Sequence, residues 1–567
     1  MVSAVFIVRL FYLQVIRHDY YQKAALSSQL KEYEIPAQRG IIEAHNGADT
    51  VPIVLNEKLY TLYADPVYVK DAGKAADELA RAIGGSANDY EKSLKTDDES
   101  IRYVILAKKL NKSQSDKIMD LDLKGIGTRE VPYRTYPQGS LAAQILGFVN
   151  DDGEGKYGLE QALNAELKGR PGQIKAITDA SGVPLAANED NVNVEPESGK
   201  RVILTIDIGM QQQLEDALKA GLKRSKSDSG GAVILDAKTG AVRAMANYPT
   251  FNPAEYYKVE DGNTFTNAVV SSPLEVGSIM KPLTAAAALD AGVVNKNQTY
   301  HDPSKYKIDD AVVSNIEEDG GAGTRSVRDI LQLSLNTGAT WLLMQMGGGE
   351  INQRARERWH GYMVNNFRLG QATGIEQGYE SGGVIPDPNE GYGLNIRYAN
   401  TAFGQGMTAT PLQMGAALAS VVNGGTYYQP HLVEKTIDGE GNEHKANPKI
   451  VRSNVVSKDV SKTVKEMMEY TIEKNQFVYG FKKSYPSYSI GGKTGTAEVA
   501  RPEGGYYTDV YNGMFMGFVG GDEAQYVIVV RVDKPKIPGY AGSQAAAPLF
   551  VDLTSMLINN FGVRPKS

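Results

Sequence analysis

Ser278 and Lys281 stand three residues apart in GSIMKPLTAAAALDAG, at the head of a segment whose alanines make it a strong helix former. Residues at i and i+3 share a helix face, so the lysine amine can sit beside the serine hydroxyl, the geometry of a nucleophile and its base. Pro282 is tolerated only if Ser278 lies at or near the first turn, where amide hydrogens lack intrahelical partners. Such a position would also set free N–H groups and the positive helix end beside an oxyanion. On its own the pair is more often that of an ordinary surface helix. Ser334 and Asn336, in DILQLSLNTGATWLLMQMG, fall at i and i+2 inside an apolar run of helical period. Two small polar groups there need partners if buried, so a helix cap or a satisfied core serine stands beside the catalytic reading. In SIGGKTGTAEVA, alternation puts Lys493 and Gly495 on one strand face and Thr494 and Thr496 on the other, and glycines there admit a ligand backbone. The bland alternative is an edge strand with a solvated lysine.

Two further motifs are set aside. Lys238-Thr239-Gly240 repeats the KTG letters between two strand-like runs and reads as a turn. The GKT at 492–494 would need glycine five residues before Gly492 to be a phosphate loop, and Ser487 stands there.

The elements that must position these residues are legible in outline. A chain of 567 residues with 42% hydrophobic and 22% charged content is long enough for two or more cored domains. A formal charge of -7 supplies no basic excess to displace counterions, which argues against nucleic acid as a partner. The absence of cysteine removes disulfides, thiolate catalysis and iron–sulfur clusters. The six histidines are scattered without an HExxH or an i, i+4 pair. From residue 37 to about 168, β-rich runs such as EKLYTLYADPVYV alternate with helical stretches such as KAADELARAIGG. The Gly-, Pro- and Asn-rich segment 169–199 suits a connection. Beyond it come VILTID, a helical QQQLEDALKAGLKRS, the hairpin-like GGAVILDAKTGAVRAMANYP and, far downstream, YVIVVRVDK, an apolar run of strand length expected to be covered on both faces. Strands at both ends of this region with a helix-rich middle predict an α+β domain whose sheet is closed by distant segments. The first residues, with an apolar run ending near Ile16 and interrupted by Arg9, are too short for a spanning helix and lack a signal-peptide pattern. They read as an amphipathic helix or as the outer end of a membrane anchor.

Order gathers the three elements: SxxK, then SxN 56 residues on, then KTG a further 159 residues on. That set is the signature of penicillin-binding proteins and class A β-lactamases. The chain resembles the penicillin-binding transpeptidases also in FGQGMTATPLQM, in GFVGG after the KTG, in AQRGIIEAHNG, and in the stretch from YPQGS through GLEQALNAELKGRPG. Ala44 and His45 depart from the family's usual Asp-Arg pair, and SLN replaces SDN.

The resemblance implies a monofunctional, septal- or elongation-type D,D-transpeptidase. Residues 1–16 would be the outer end of a single-pass anchor in the cell membrane, 17–195 a mixed α/β pedestal, and 196–567 a transpeptidase domain with an antiparallel sheet flanked by helices and a helical subdomain. It further implies that Ser278 attacks the bond between two terminal D-alanines, that Lys281, kept neutral by desolvation near Lys493, takes the proton, and that Ser334 relays it to the leaving amine. Asn336 would hold the substrate amide, and Lys493, Thr494, Gly495 and Thr496 the terminal carboxylate and backbone. The N–H groups of Ser278 and Thr496 would form the oxyanion hole. No metal or organic cofactor is implied; stem peptides, β-lactams and a polytopic glycan polymerase are the implied partners. Rival readings are a D,D-carboxypeptidase or β-lactamase, with water as acceptor, and a non-catalytic penicillin-binding sensor or division scaffold.

Overall fold

The structure is a computed structural model that describes residues 6, 9–17, 30–96, 98, 100–177, 192–316, 321–476, 478–481, 485–501 and 503–567. Residues 178–191 of the expected connection, and residues 1–5, 7 and 8 of the expected anchor, lie outside the described residues. The N-terminal stretch closes in a π-helical turn at Tyr12–Ile16, with Phe6, Leu10, Phe11, Val15 and Ile16 exposed. Among the described residues no helix is long and apolar enough to cross a membrane.

The first module contains β1 (Leu30–Ile35), then a hairpin of β2 (Ile42–Asn46) and β3 (Asp49–Ala64). Next come α1 (Ala72–Ile83), α2 (Ala87–Leu94), β4 (Val104–Leu110), α3 (Lys112–Asp120) and β5 (Ile126–Thr135). The long β3 pairs with β4 on one side and β5 on the other, and alternate side chains meet the helices through Leu62, Leu79, Leu110 and Ile118. Side-chain caps start the helices where the sequence offers them: Asp71 accepts from the Lys74 N–H, and Asn111 with Gln114 forms a capping box. The strands β6 (Gly172–Ile177) and β7 (Val192–Val194) continue from β1 as a separate antiparallel sheet.

The second module opens with β8 (Arg201–Asp207), α4 (Ile208–Ser225) and the hairpin β9 (Ser229–Asp236) and β10 (Val242–Tyr248). It proceeds through α5 (Lys281–Asp290), α6 (Asn336–Met346), α7 (Pro411–Val422), β11 (Val433–Ile437) and α8 (Lys458–Lys474). It closes with β12 (Ser489–Ala500), β13 (Tyr506–Gly520), β14 (Ala524–Asp533) and α9 (Ala547–Asn560). Five of these strands form an antiparallel sheet in the order β10-β9-β14-β13-β12, so segments nearly three hundred residues apart are hydrogen-bonded neighbours. The unbroken apolar run of β14 is covered on both faces, as its pattern predicts. Ile528 and Val530 enter a core with Leu214 and Leu218 of α4 and Leu549 and Phe550 of α9. Val527 and Val529 enter the opposite core, against α7, which is buried at every position.

The modules share a sheet. β8 runs parallel to β2 and antiparallel to β11, so hydrogen bonding continues from the second module into the first. An ion cluster knits the AQRG and GLE stretches together. Glu160, with no exposed surface, accepts from Arg39 (Nη2 2.6 Å, Nε 2.8 Å) and from Arg134 (Nε 2.7 Å). At the departure in the AHNG stretch, Ala44 is fully buried in β2 and His45 Nε2 lies 2.6 Å from Glu434 Oε2 on β11.

Candidate active site

Ser278 lies in a 3₁₀ turn, Gly277–Met280, that runs straight into α5, with Pro282 in the helix's first turn, where a missing N–H costs nothing. Three glycines from distant parts of the chain let backbones touch around this turn. A Cβ on Gly277, whose φ is +57°, would lie 2.6 Å from the Thr496 carbonyl; one on Gly495 would lie 2.6 Å from the Val276 carbonyl. Gly404 of the FGQG loop, at φ +87°, accepts from the Gly277 N–H at 3.0 Å and would clash with it if it carried a side chain. The turn is therefore clamped between the KTG strand and the FGQG loop. Behind it α5 is buried throughout its first nine residues, and Thr284 donates to the Ala402 carbonyl (2.8 Å) while accepting from Trp359 Nε1 (3.2 Å).

Lys281 has no exposed surface. Its amine contacts the Ser334 carbonyl, Ser334 Oγ at 3.2 Å and Asn336 Oδ1 at 2.8 Å. Ser334 itself is not inside a helix, contrary to the periodicity. It sits at φ +59° in the turn between the short helix Asp329–Gln332 and α6, which starts at Asn336. Leu331 and Leu335 are both fully buried, so apolar spacing runs on across the turn and conceals it. The left-handed turn aims both the hydroxyl and the carbonyl of Ser334 at one amine. A buried network that spacing alone did not reveal holds the start of α6: Thr337 donates to Asp302 at 2.8 Å, the Thr337 N–H donates to Asn315 Oδ1 at 3.0 Å, and Asp302 is wholly buried. Asn336 Nδ2 donates to the Ser314 carbonyl at 3.1 Å, which fixes its amide with Oδ1 toward Lys281.

On β12, Lys493 and Gly495 are buried and Thr494 and Thr496 are partly exposed, following the alternation. Lys493 Nζ donates to the Thr494 carbonyl (3.0 Å) and contacts Thr494 Oγ1 (3.3 Å). Thr496 Oγ1 accepts from the Gly542 N–H at 3.0 Å, leaving its own proton for a ligand. Tyr479, whose phenol burial pushes up, lies 3.4 Å from Thr494 Oγ1. Neither Gly542 nor Tyr479 carries a signal in its local sequence. The set-aside Lys238 stands in the β9–β10 turn with more than half its side chain exposed, paired with Glu523.

Glu275, three residues before Ser278, also escaped the reading by spacing. Its Oε1 accepts from the Gly406 N–H and from the Tyr506 hydroxyl, both at 2.9 Å, tying the FGQG loop and the start of β13 to the serine turn. Its Oε2 is buried with no hydrogen-bond partner among the described residues. Desolvation raises the carboxyl's pKa and the charge of Glu498 adds to it, against the lowering effect of the two hydrogen bonds. A carboxyl raised in the folded state stabilises most at low pH, and that contribution is lost as pH rises through the folded pKa. Glu275→Gln keeps an acceptor oxygen and removes the charge. It is therefore expected to melt above the parent at about pH 8 and to lose that advantage by about pH 4. A melting difference independent of pH would contradict the assignment.

Residues 230–555 match the penicillin binding protein transpeptidase domain, and residues 34–204 match the penicillin-binding protein dimerisation domain. The chain is 30% identical to stage V sporulation protein D of Bacillus subtilis across 98% of its length and 84% of that protein. It is 26% identical to the peptidoglycan D,D-transpeptidase FtsI of Escherichia coli, across 98% of its length and 89% of that protein. Among solved structures, penicillin binding protein 3 from Mycobacterium tuberculosis, complexed with aztreonam, superposes with a TM-score of 0.69 at 25% identity, covering 94% of this chain and 98% of that one. Penicillin binding protein 2X from Streptococcus thermophilus shares the fold with a TM-score of 0.72 at 23% identity, over 93% of this chain and 80% of that one.

Proposed function

The chain belongs to the penicillin-binding protein family, and from that premise we propose that it is a peptidoglycan D,D-transpeptidase working through an acyl-enzyme on Ser278. The observation that carries this reading is the buried Lys281 amine, one turn after Ser278 and in contact with both Ser334 and Asn336. Two of its contacts, the Ser334 carbonyl and Asn336 Oδ1, are oxygens that only accept. To take a proton from Ser278 this amine would have to be neutral, the form that desolvation of a lysine favours. Ser278 Oγ then attacks the carbonyl between the terminal D-alanines and passes its proton to Lys281. The Ser334 hydroxyl, 3.2 Å from that amine, carries the proton on to the leaving D-alanine nitrogen. An amine from a second stem peptide attacks the ester, regenerates Ser278 and completes the cross-link. Thr494, Thr496 and Lys493 would hold the terminal carboxylate, and the N–H groups of Ser278 and Thr496 would face the oxyanion. β-Lactams would acylate the same serine.

In this role both modules would lie outside the cytoplasmic membrane, with residues 1–16 as the outer end of a single-pass anchor, a location that the exposed Phe6, Leu10, Phe11, Val15 and Ile16 support. One experiment tests both parts. Membrane and soluble fractions of cells expressing the protein from its native start are given a radiolabelled stem-peptide donor and an acceptor amine. Acyl transfer in the membrane fraction is expected. Release of D-alanine with hydrolysis alone would favour the carboxypeptidase reading, no turnover despite penicillin labelling would favour the sensor, and transfer confined to the soluble fraction would refute the location.

A further inference from the structure

Where β3, β4 and β5 of the first module face the Pro253–Lys258 turn of the second lies a cleft of about 940 Å³, of the size that takes a bound organic ligand and at the kind of inter-module junction where such sites occur. None of its lining residues belongs to the Ser278 site. Arg134 lines it with a side chain only 5% exposed. Its Nε and Nη1 are taken by Glu160 (2.7 Å) and Asn56 (2.9 Å), but Nη2 is buried with no hydrogen-bond partner among the described residues. A guanidinium N–H left unbonded at the wall of a cleft can take an acceptor that enters it. Arg129, Lys108 and Lys109 also line the cleft, together with Glu130, Asp151 and Asp152; Lys108 pairs with Asp151 at 2.6 Å and Lys109 donates to the Ala254 carbonyl at 2.8 Å. On the second module's side it presents flat rings: Tyr256, stacked on Phe148 at 4.3 Å, and Tyr257, which is 68% exposed. The two rings, set edge to face at 83°, beside one unbonded N–H of a guanidinium otherwise paired with Glu160, suit a ligand with an apolar C–H face and a carboxylate.

We propose that this cleft binds a carboxylate-bearing glycopeptide, its saccharide lying on Tyr256 and Tyr257 and a carboxylate bonding Arg134 Nη2. The ligand is of the class assigned above to the catalytic site, so the inference rests on that reading for its substrate but not for its chemistry. Because the cleft is built from other elements, it stays available while Ser278 is acylated, and the enzyme can grip one part of a polymer while it reacts with another.

The test uses the full chain, its Ser278 blocked by penicillin as checked by intact mass, titrated calorimetrically with a soluble disaccharide–pentapeptide, with the pentapeptide alone and with a neutral chitooligosaccharide. Should no penicillin adduct form, the reading of the catalytic site fails by itself, and the same titrations are run on Ser278→Ala. Binding of the disaccharide–pentapeptide is expected, with each partial ligand weaker, and about a tenfold loss of affinity in Tyr257→Ala, an exposed position with little bearing on folding. Arg134→Gln is expected to lose affinity for the acidic ligand alone. No binding to the blocked protein, equal binding of the neutral saccharide or the bare peptide, or unchanged affinity in Tyr257→Ala would each overturn the proposal.

Discussion

Ser278→Ala is expected to abolish the covalent penicillin adduct completely, and Lys281→Ala to slow acylation by about 10²–10⁴-fold while leaving the fold intact enough to be measured. The two losses differ in kind. Without the hydroxyl there is no atom to acylate, so intact mass should show no increment at any time, whereas without the amine the hydroxyl remains and a slow adduct should accumulate. Lys281 is wholly buried among acceptor oxygens, so its removal leaves the Ser334 carbonyl and Asn336 Oδ1 without a donor. Some loss of stability should accompany the kinetic loss. Lys281→Met, closer in volume, separates packing from proton transfer: the melting temperature should partly recover and the rate should not. Peptide mapping of the wild-type adduct should return the peptide containing Ser278. Label retained in Ser278→Ala would assign the nucleophile elsewhere.

The second large effect is a contrast between two lysines in the same three-letter motif. Lys493→Met is expected to lower the acylation rate by about 10²-fold, the order of loss that follows when a group that positions the substrate carboxylate is removed. Lys238→Met should change it little, because that side chain is solvent-exposed and its ion pair with Glu523 is of the surface type that contributes about 0–1 kcal/mol. The comparison is made by time-resolved labelling at matched folded fraction, since Lys493 is buried and its substitution perturbs packing as well as chemistry. Equal losses in the two variants would mean that the wrong KTG had been assigned to the site.

Much of this was legible in the chain because the informative signals are local. The unbroken apolar run in YVIVVRVD determined that β14 has two buried faces, and the two-residue alternation of SIGGKTGTAEVA put Lys493 and Thr494 on opposite faces of β12. The proline after Lys281 required Ser278 to sit ahead of a helix, because a ring without an N–H fits only a first turn. Lys238 read as a turn residue because apolar strands flank it closely on both sides. Period and punctuation report which way a side chain points relative to its own backbone, and those readings needed nothing else.

What only the tertiary structure decided has no such local signature. Apolar spacing runs unbroken from Leu331 to Leu335, so the left-handed turn at Ser334 that directs its carbonyl and hydroxyl to Lys281 is invisible to periodicity. The glycines at 277, 404 and 495 look like ordinary loop and strand glycines until three distant backbones meet at distances that exclude a Cβ. Glu275 reads as one more acid until the fold has one of its oxygens bridge the FGQG loop and β13 and buries the other. The sheet shared by the two modules joins β2 to β8 across more than a hundred residues. In each case the determining energy is a close contact or a desolvation between segments far apart in sequence, and that energy exists only after the chain has brought them together.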